Sequence, residues 1–165
     1  MNIPESNLRN MLKSISELNH VLNETISLSR VADKDCPDCR YDPIRKESMD
    51  AYCDTCGGAG KLKVPDITTI SASVETMDDF KFDYTAMGRL KEGEILVTID
   101  KLEIDDFLNK DGKYNMNDYK DIEKLINEYD YIEWMGTRYT PSTFQPAYLQ
   151  GNFYELSLTL RVKNG

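Results

Sequence analysis

Gly93-Glu94-Ile95-Leu96-Val97-Thr98-Ile99-Asp100 and Phe153-Tyr154-Glu155-Leu156-Ser157-Leu158-Thr159-Leu160-Arg161-Val162 decide the fold of this chain. In the second stretch Tyr154, Leu156, Leu158, Leu160 and Val162 alternate strictly with polar or charged residues. A period of two marks a strand with one buried face, because successive side chains leave a strand on opposite sides. The first stretch is β-branched and opens just after a Lys-Glu-Gly turn. Both read as strands of one antiparallel sheet.

Outward from these two, β character dominates. Residues 67–74 are rich in Ile, Thr and Val, and Phe80, Phe82 and Tyr84 alternate with charged neighbours. Tyr131-Ile132-Glu133-Trp134 and Arg138-Tyr139 read as strands joined by a Met-Gly-Thr turn, followed by a loop carrying Pro141 and Pro146. Helical spacing occurs twice. Ile122, Leu125, Ile126 and Tyr129 share one face of a helix expected over residues 117–129. Leu8, Met11, Ile15, Leu18 and Leu22 recur at spacings of three and four, which predicts an N-terminal amphipathic helix over residues 1–32. That helix packs either on its own domain or on another subunit. The expected class is α+β, mainly β: the N-terminal helix, a cysteine loop over residues 33–64, and a small antiparallel barrel or sandwich over residues 65–165 with one inserted helix.

Two cysteine pairs, Cys36-Pro37-Asp38-Cys39 and Cys53-Asp54-Thr55-Cys56, contain all four cysteines of the chain. Each C-x-x-C can form a knuckle whose sulfurs point at one ion, and two knuckles supply the four soft thiolates that tetrahedral Zn²⁺ prefers. Gly57, Gly58 and Gly60 free the backbone so that amides can approach the sulfurs, and Pro37 stiffens the first turn. Met1-Asn2-Ile3-Pro4-Glu5 begins no signal peptide, so an oxidising compartment and two disulfides are not implied. A thioredoxin-type pair requires one C-x-x-C beside a strand and helix, not two in a Gly-rich polar loop. The expected site is therefore a closed structural zinc on Cys36, Cys39, Cys53 and Cys56, with Lys61-Leu62-Lys63-Val64 returning as a short strand.

Charge and side-chain inventory exclude other classes. The net charge is −9, and residues 100–133 carry eleven acids against five bases. Tight nucleic-acid binding draws on a surplus of Lys and Arg, which this chain lacks. No apolar run approaches a membrane span, so the chain reads as soluble. The single histidine, His20, has no partner from which to build acid–base or nucleophilic catalysis. Asp105 and Asp106 read as a solvated edge, and Asn109-Lys110-Asp111-Gly112 lacks the oxygen-ligand alternation of a calcium loop.

The segment Asp35-Cys36-Pro37-Asp38-Cys39-Arg40-Tyr41-Asp42-Pro43, followed by Cys53-Asp54-Thr55-Cys56-Gly57-Gly58-Ala59-Gly60, resembles small neck proteins of tailed bacteriophages. Met87-Gly88-Arg89-Leu90-Lys91-Glu92-Gly93-Glu94 looks like the G-x-L-x-x-G-[DE] element that leads into the barrel of head-closure and head–tail connector proteins. Trp134-Met135-Gly136-Thr137-Arg138-Tyr139 looks like their G-x-x-Y hairpin. The long acidic insert at 105–130 departs from the simplest connectors. What the resemblance implies is a non-enzymatic structural protein of the virion. It forms a homo-oligomeric ring between portal or adaptor and tail-terminator or tail-tube proteins. DNA passes through without specific binding, and the ring is assembled in the host cytoplasm. Cys53-x-x-Cys56-Gly57-Gly58-Ala59-Gly60 also matches one repeat of the cysteine-rich region of J-protein chaperones, which keeps a chaperone-like assembly factor open. A zinc-ribbon nucleic-acid factor is the third class.

Overall fold

The computed structural model describes residue 10 and residues 23–76 and 90–164. The amphipathic stretch before residue 23 (apart from Asn10), His20 within it, and the strand expected around Phe80, Phe82 and Tyr84 lie outside the described residues. In chain order the elements are β1 (Glu24–Asp35), β2 (Tyr41–Asp42), β3 (Glu47–Ser48), β4 (Lys61–Thr76), β5 (Glu94–Asp100) and α1 (Lys101–Glu103). A π-helical turn (Ile104–Leu108) continues α1, and α2 (Tyr119–Asn127), β6 (Tyr131–Trp134), β7 (Thr137–Leu149) and β8 (Asn152–Val162) follow. The class is α+β and mainly β, as the alternating stretches require. Among the described residues no helix is long and apolar enough to cross a membrane.

The chain divides into two compact units, Met1–Ser29 with Thr68–Gly165, and Arg30–Ile67. The boundaries expected at 32/33 and 64/65 fall inside β1 and β4, strands that run on through both units.

In the larger unit the strand order is β1-β4-β5-β8-β7-β6, and β6 returns to β1 through three residue pairs, Ser27 with Glu133 to Ser29 with Tyr131. The two stretches that decided the fold are direct neighbours. Ile95, Val97 and Ile99 of β5 face Leu160, Leu158 and Leu156 of β8 in antiparallel register. All six are buried, so the alternation of both strands delivers one apolar face. Ile26, Leu28, Ile70, Ala72 and Ile132 join them, and α2 adds Ile122, Leu125 and Ile126. Tyr129 and Tyr139 are also buried in this core.

α2 begins where its sequence provides a cap: the Asp118 carboxylate accepts the Lys120 N–H at 2.9 Å. Glu94, the acidic residue of the G-x-L-x-x-G-[DE] element, is buried. Its carboxylate accepts the Lys91 N–H at 2.9 Å and meets Arg161, its ladder partner, at 3.2 Å. Gly93 before it has φ +79, a left-handed turn that suits glycine.

Four expectations are corrected. Residues 24–32 are not the end of a helix but most of β1. Ile26 stands four residues after Leu22, which continues the helical stripe, and two before Leu28, which starts a strand; both periods fit so short a run. Burial of Ile26 and Leu28 against the sheet settles it for the strand. Lys61–Val64 is not a separate short strand, because β4 continues through Pro65 to Thr76. Pro141 and Pro146 lie not in a loop but inside β7. β6 pairs with β7 only over Thr137–Tyr139, so beyond that point β8 is the one paired neighbour among the described residues, and an edge strand tolerates a missing N–H. A register shift follows between Pro141 and Thr143.

The fourth correction concerns the segment after β5, where α1 and its π-helical turn were not foreseen. The Asp100 side chain caps α1 by accepting the Glu103 N–H at 3.0 Å. The Asp-x-x-Glu spacing was the available signal.

Candidate metal centre

The smaller unit holds both cysteine pairs, with more structure than a polar loop. Between the pairs β2 and β3 form a small hairpin, Tyr41 opposite Ser48 and Asp42 opposite Glu47. Asp42 builds its turn: its carboxylate accepts the Ile44 N–H at 2.8 Å, and its carbonyl accepts the Lys46 N–H at 2.8 Å. Met49 N–H to the Arg40 carbonyl (2.9 Å) and Ser48 N–H to the Gly58 carbonyl (3.2 Å) tie the hairpin to the chain on either side of it. At the base, Cys36 N–H donates to the Gly60 carbonyl at 3.0 Å.

The second knuckle is the more tightly wound. Gly57 N–H donates to the Cys53 carbonyl at 2.8 Å and Ala59 N–H to the Cys56 carbonyl at 3.1 Å. Gly60 N–H then donates to Cys56 Sγ at 3.2 Å, the amide-to-sulfur contact anticipated from the glycines. Two glycines are required by space as well as by backbone angle. A Cβ on Gly58 would stand 2.7 Å from the Ala51 carbonyl oxygen, and one on Gly60 would stand 2.8 Å from the Tyr41 ring. The Thr55 hydroxyl donates to the Asp38 carboxylate and so links the two knuckles.

These backbones bring all four sulfurs together, within 4.8 Å of one another. Cys36 Sγ lies 3.7 Å from Cys53 Sγ, and Cys39 Sγ lies 3.4 Å from Cys56 Sγ. The four thiols are free, and both separations are far beyond a disulfide bond of about 2.05 Å. A tetrahedron of metal–sulfur bonds near 2.3 Å has edges of about 3.8 Å, so the cluster has the size and the soft donors of a Cys₄ metal site. Cys36 and Cys53 are buried, whereas Cys39 and Cys56 are partly exposed. The four cysteines could hold a metal ion, and all four are the residues the spacing singled out.

Their ionisation shows why a cation suits them. Burial raises the Cys56 thiol, but hydrogen bonds from Cys39 and the Gly60 amide outweigh it and bring the group down to about 7. At Cys39 a hydrogen bond to Ser48 lowers the thiol. Burial and the sulfurs of Cys56, Cys53 and Cys36 prevail and push it up to about 12. One thiol of the cluster therefore ionises readily while another holds its proton, because the sulfurs share hydrogen bonds that favour one thiolate among protonated neighbours. A divalent ion bound by all four sulfurs would displace the remaining protons.

The other candidate groups do not converge. Asp105 pairs with Lys101 at 2.6 Å, one turn back on the same helical segment, while Asp106 is exposed. Asn109 clasps its own turn, its amide donating to the Tyr114 carbonyl at 2.8 Å and accepting the Tyr114 N–H at 3.0 Å. That side chain is spent on the backbone rather than turned toward an ion. Among the described residues the four cysteines form the one such cluster of metal-ligating side chains. Comparison of this chain with protein-family models, with curated proteins and with solved structures returns no match.

Proposed function

We propose that this chain is a ring-forming structural subunit of a tailed-phage neck, closing the filled head and joining it to the tail, with a structural zinc on Cys36, Cys39, Cys53 and Cys56. The observation that carries the reading is the closed character of the site. Four thiols enclose one point, so an ion bound there has its tetrahedral set complete and no position left for substrate. Such a site serves folding, and it joins the resemblance of its two cysteine elements to neck proteins. The buried Glu94 at the head of β5, held by Lys91 and Arg161, gives the G-x-L-x-x-G-[DE] element a structural purpose consistent with that reading.

The acidic segment fits a duct through which DNA slides, since attraction would trap the polymer. Several of its carboxylates are committed locally: Asp100 and Asp118 cap helices, Glu103 accepts the Ser71 N–H, and Asp121 pairs with Lys124. Asp106, Asp111, Glu123 and Asp130 are the exposed acids that a duct lining would use.

Negative-stain microscopy of the purified protein, with its metal content measured beside it, tests the proposal. Rings carrying about one zinc per chain are expected. A metal-free monomer would contradict both halves. Capture of unfolded clients without ring assembly would favour the chaperone-like reading that the Cys53–Gly60 repeat keeps open.

A further inference from the structure

The four sulfurs of the cluster are not equivalent. Cys36 and Cys53 are buried, 5 % and 6 % exposed, whereas Cys39 and Cys56 are partly open to solvent. The separations of 3.7 Å and 3.4 Å each join one knuckle to the other, and the shorter belongs to the solvent-facing pair, Cys39 and Cys56. The hydrogen bond from Thr55 to Asp38 ties the knuckles together one residue before each of these two cysteines. An oxidant arriving from solution therefore meets Cys39 and Cys56 first, and meets them side by side.

We propose that Cys39 and Cys56 are a modification site: a peroxide joins them in a disulfide across the two knuckles and so releases the bound ion. The inference rests on the zinc reading of the cluster and names how that site is opened. The peroxide oxygen is attacked by one thiolate of the pair, which gives a sulfenic acid and hydroxide. The other thiolate then attacks that sulfur; the S–S bond forms, the S–O bond breaks, and a second hydroxide leaves. The two sulfurs give up two electrons, and the two oxygens of the peroxide take them up. Half of the ligand set is then gone, and Cys36 and Cys53 take up protons as the ion leaves.

Geometry favours this bond over its rivals. The sulfurs of Cys39 and Cys56 must close by about 1.4 Å to reach a disulfide bond of about 2.05 Å, and those of Cys36 and Cys53 by about 1.7 Å. Burial also shields the second pair from a peroxide in solution. Within either C-x-x-C one of the two cysteines is buried, so no pair along the chain sets two exposed sulfurs together. The new bond spans the same gap as the ion, so the knuckles stay joined when the metal is lost. The site is then a metal staple among reducing thiols and a covalent one where peroxide prevails.

The test uses the full chain, purified with reduced thiols and its zinc, and treated with about one equivalent of hydrogen peroxide beside a chromogenic chelator. About one zinc is expected in solution for each disulfide formed, and dithiothreitol with added zinc should restore the loaded site. Trypsin cuts after Lys34, Arg40, Lys46 and Lys61, so each knuckle falls on its own peptide. The expected disulfide links those two peptides, and fragmentation places it at Cys39 and Cys56, with Cys36 and Cys53 open to alkylation. A bond within either knuckle, a bond between Cys36 and Cys53, sulfinic acid in place of a disulfide, or zinc that stays bound through excess peroxide overturns the proposal. A chain that carries no zinc before peroxide is added overturns the zinc reading instead, and the same peptide map then decides for or against the disulfide by itself.

Discussion

The backbone amide of Cys36 donates to the carbonyl of Gly60 across the base of the metal loop, 3.0 Å apart, immediately beyond the end of β1 and the start of β4. The hydrogen-bonded chain thus reaches up to the first cysteine of the cluster. The segment between, residues 37–59, has exposed Ile44, Met49 and Tyr52 and no apolar cluster of its own among the core residues. On the proposed zinc reading, a bound ion would supply much of its stability.

Cys36→Ser or Cys53→Ser is accordingly expected to abolish zinc retention and amide protection over residues 36–60, while the thermal transition of the larger unit persists. Hydrogen exchange with and without a chelator checks this. A mutant that kept its loop protection without metal would sink the staple reading.

Gly60→Ala should be far more damaging than Gly57→Ala. Both positions have positive φ, +71 and +60, but only at Gly60 would a Cβ meet the Tyr41 ring and the Ser48 backbone. The angle alone costs about 1 kcal/mol. The collision adds to it at Gly60 and disturbs the N–H that reaches Cys56 Sγ. Competition with a chromogenic chelator should show weaker zinc binding for Gly60→Ala and near-normal binding for Gly57→Ala.

Glu103 is buried at the end of α1, and its carboxylate accepts the Ser71 N–H of β4 at 2.9 Å. Glu103→Ala removes that acceptor inside the protein and is expected to destabilise the fold by about 1–3 kcal/mol. Glu103→Gln retains an acceptor oxygen and should lose less. Denaturant titration of the two variants distinguishes them, and equal losses would show that shape rather than hydrogen bonding matters there.

Glu155 faces Asp100 directly in the ladder between β5 and β8. Burial raises its carboxyl, a hydrogen bond with Tyr154 offsets part of that, and Asp100 raises it further, leaving it above the usual carboxylate range. A raised carboxyl holds its proton more tightly in the folded chain than in the unfolded one, so ionisation costs stability. That cost is absent below the unfolded value and complete above the folded one. Glu155→Gln should therefore stabilise the protein at neutral pH, by about 0.2–1 kcal/mol as for opposed like charges, with the gain vanishing near pH 4. A gain that did not depend on pH would rule out the electrostatic cause.

Much of this could be read before any tertiary contact was known. The alternation of residues 153–162 and the β-branched run of 93–100 define strands, and the Ile122, Leu125, Ile126 stripe defines α2, because those periods repeat often enough to admit one geometry. β1 and β7 were less legible for opposite reasons. In β1 two periods overlap over seven residues, from Leu22 to Leu28 through Ile26 alone. In β7 the prolines signal a break, and they are harmless because, among the described residues, β8 is the one strand paired with β7 beyond Tyr139.

By itself the sequence determined that four soft donors stand in two knuckles and that two strands share an apolar face, since both follow from spacing along the chain. Only the tertiary structure decided that Ile95, Val97 and Ile99 meet Leu160, Leu158 and Leu156, and that Cys36 comes to Cys53 and Cys39 to Cys56. Those pairings depend on register and on where the hairpin of β2 and β3 folds the loop. Such distances are set by hydrogen bonds between residues far apart in sequence, and no local period encodes them.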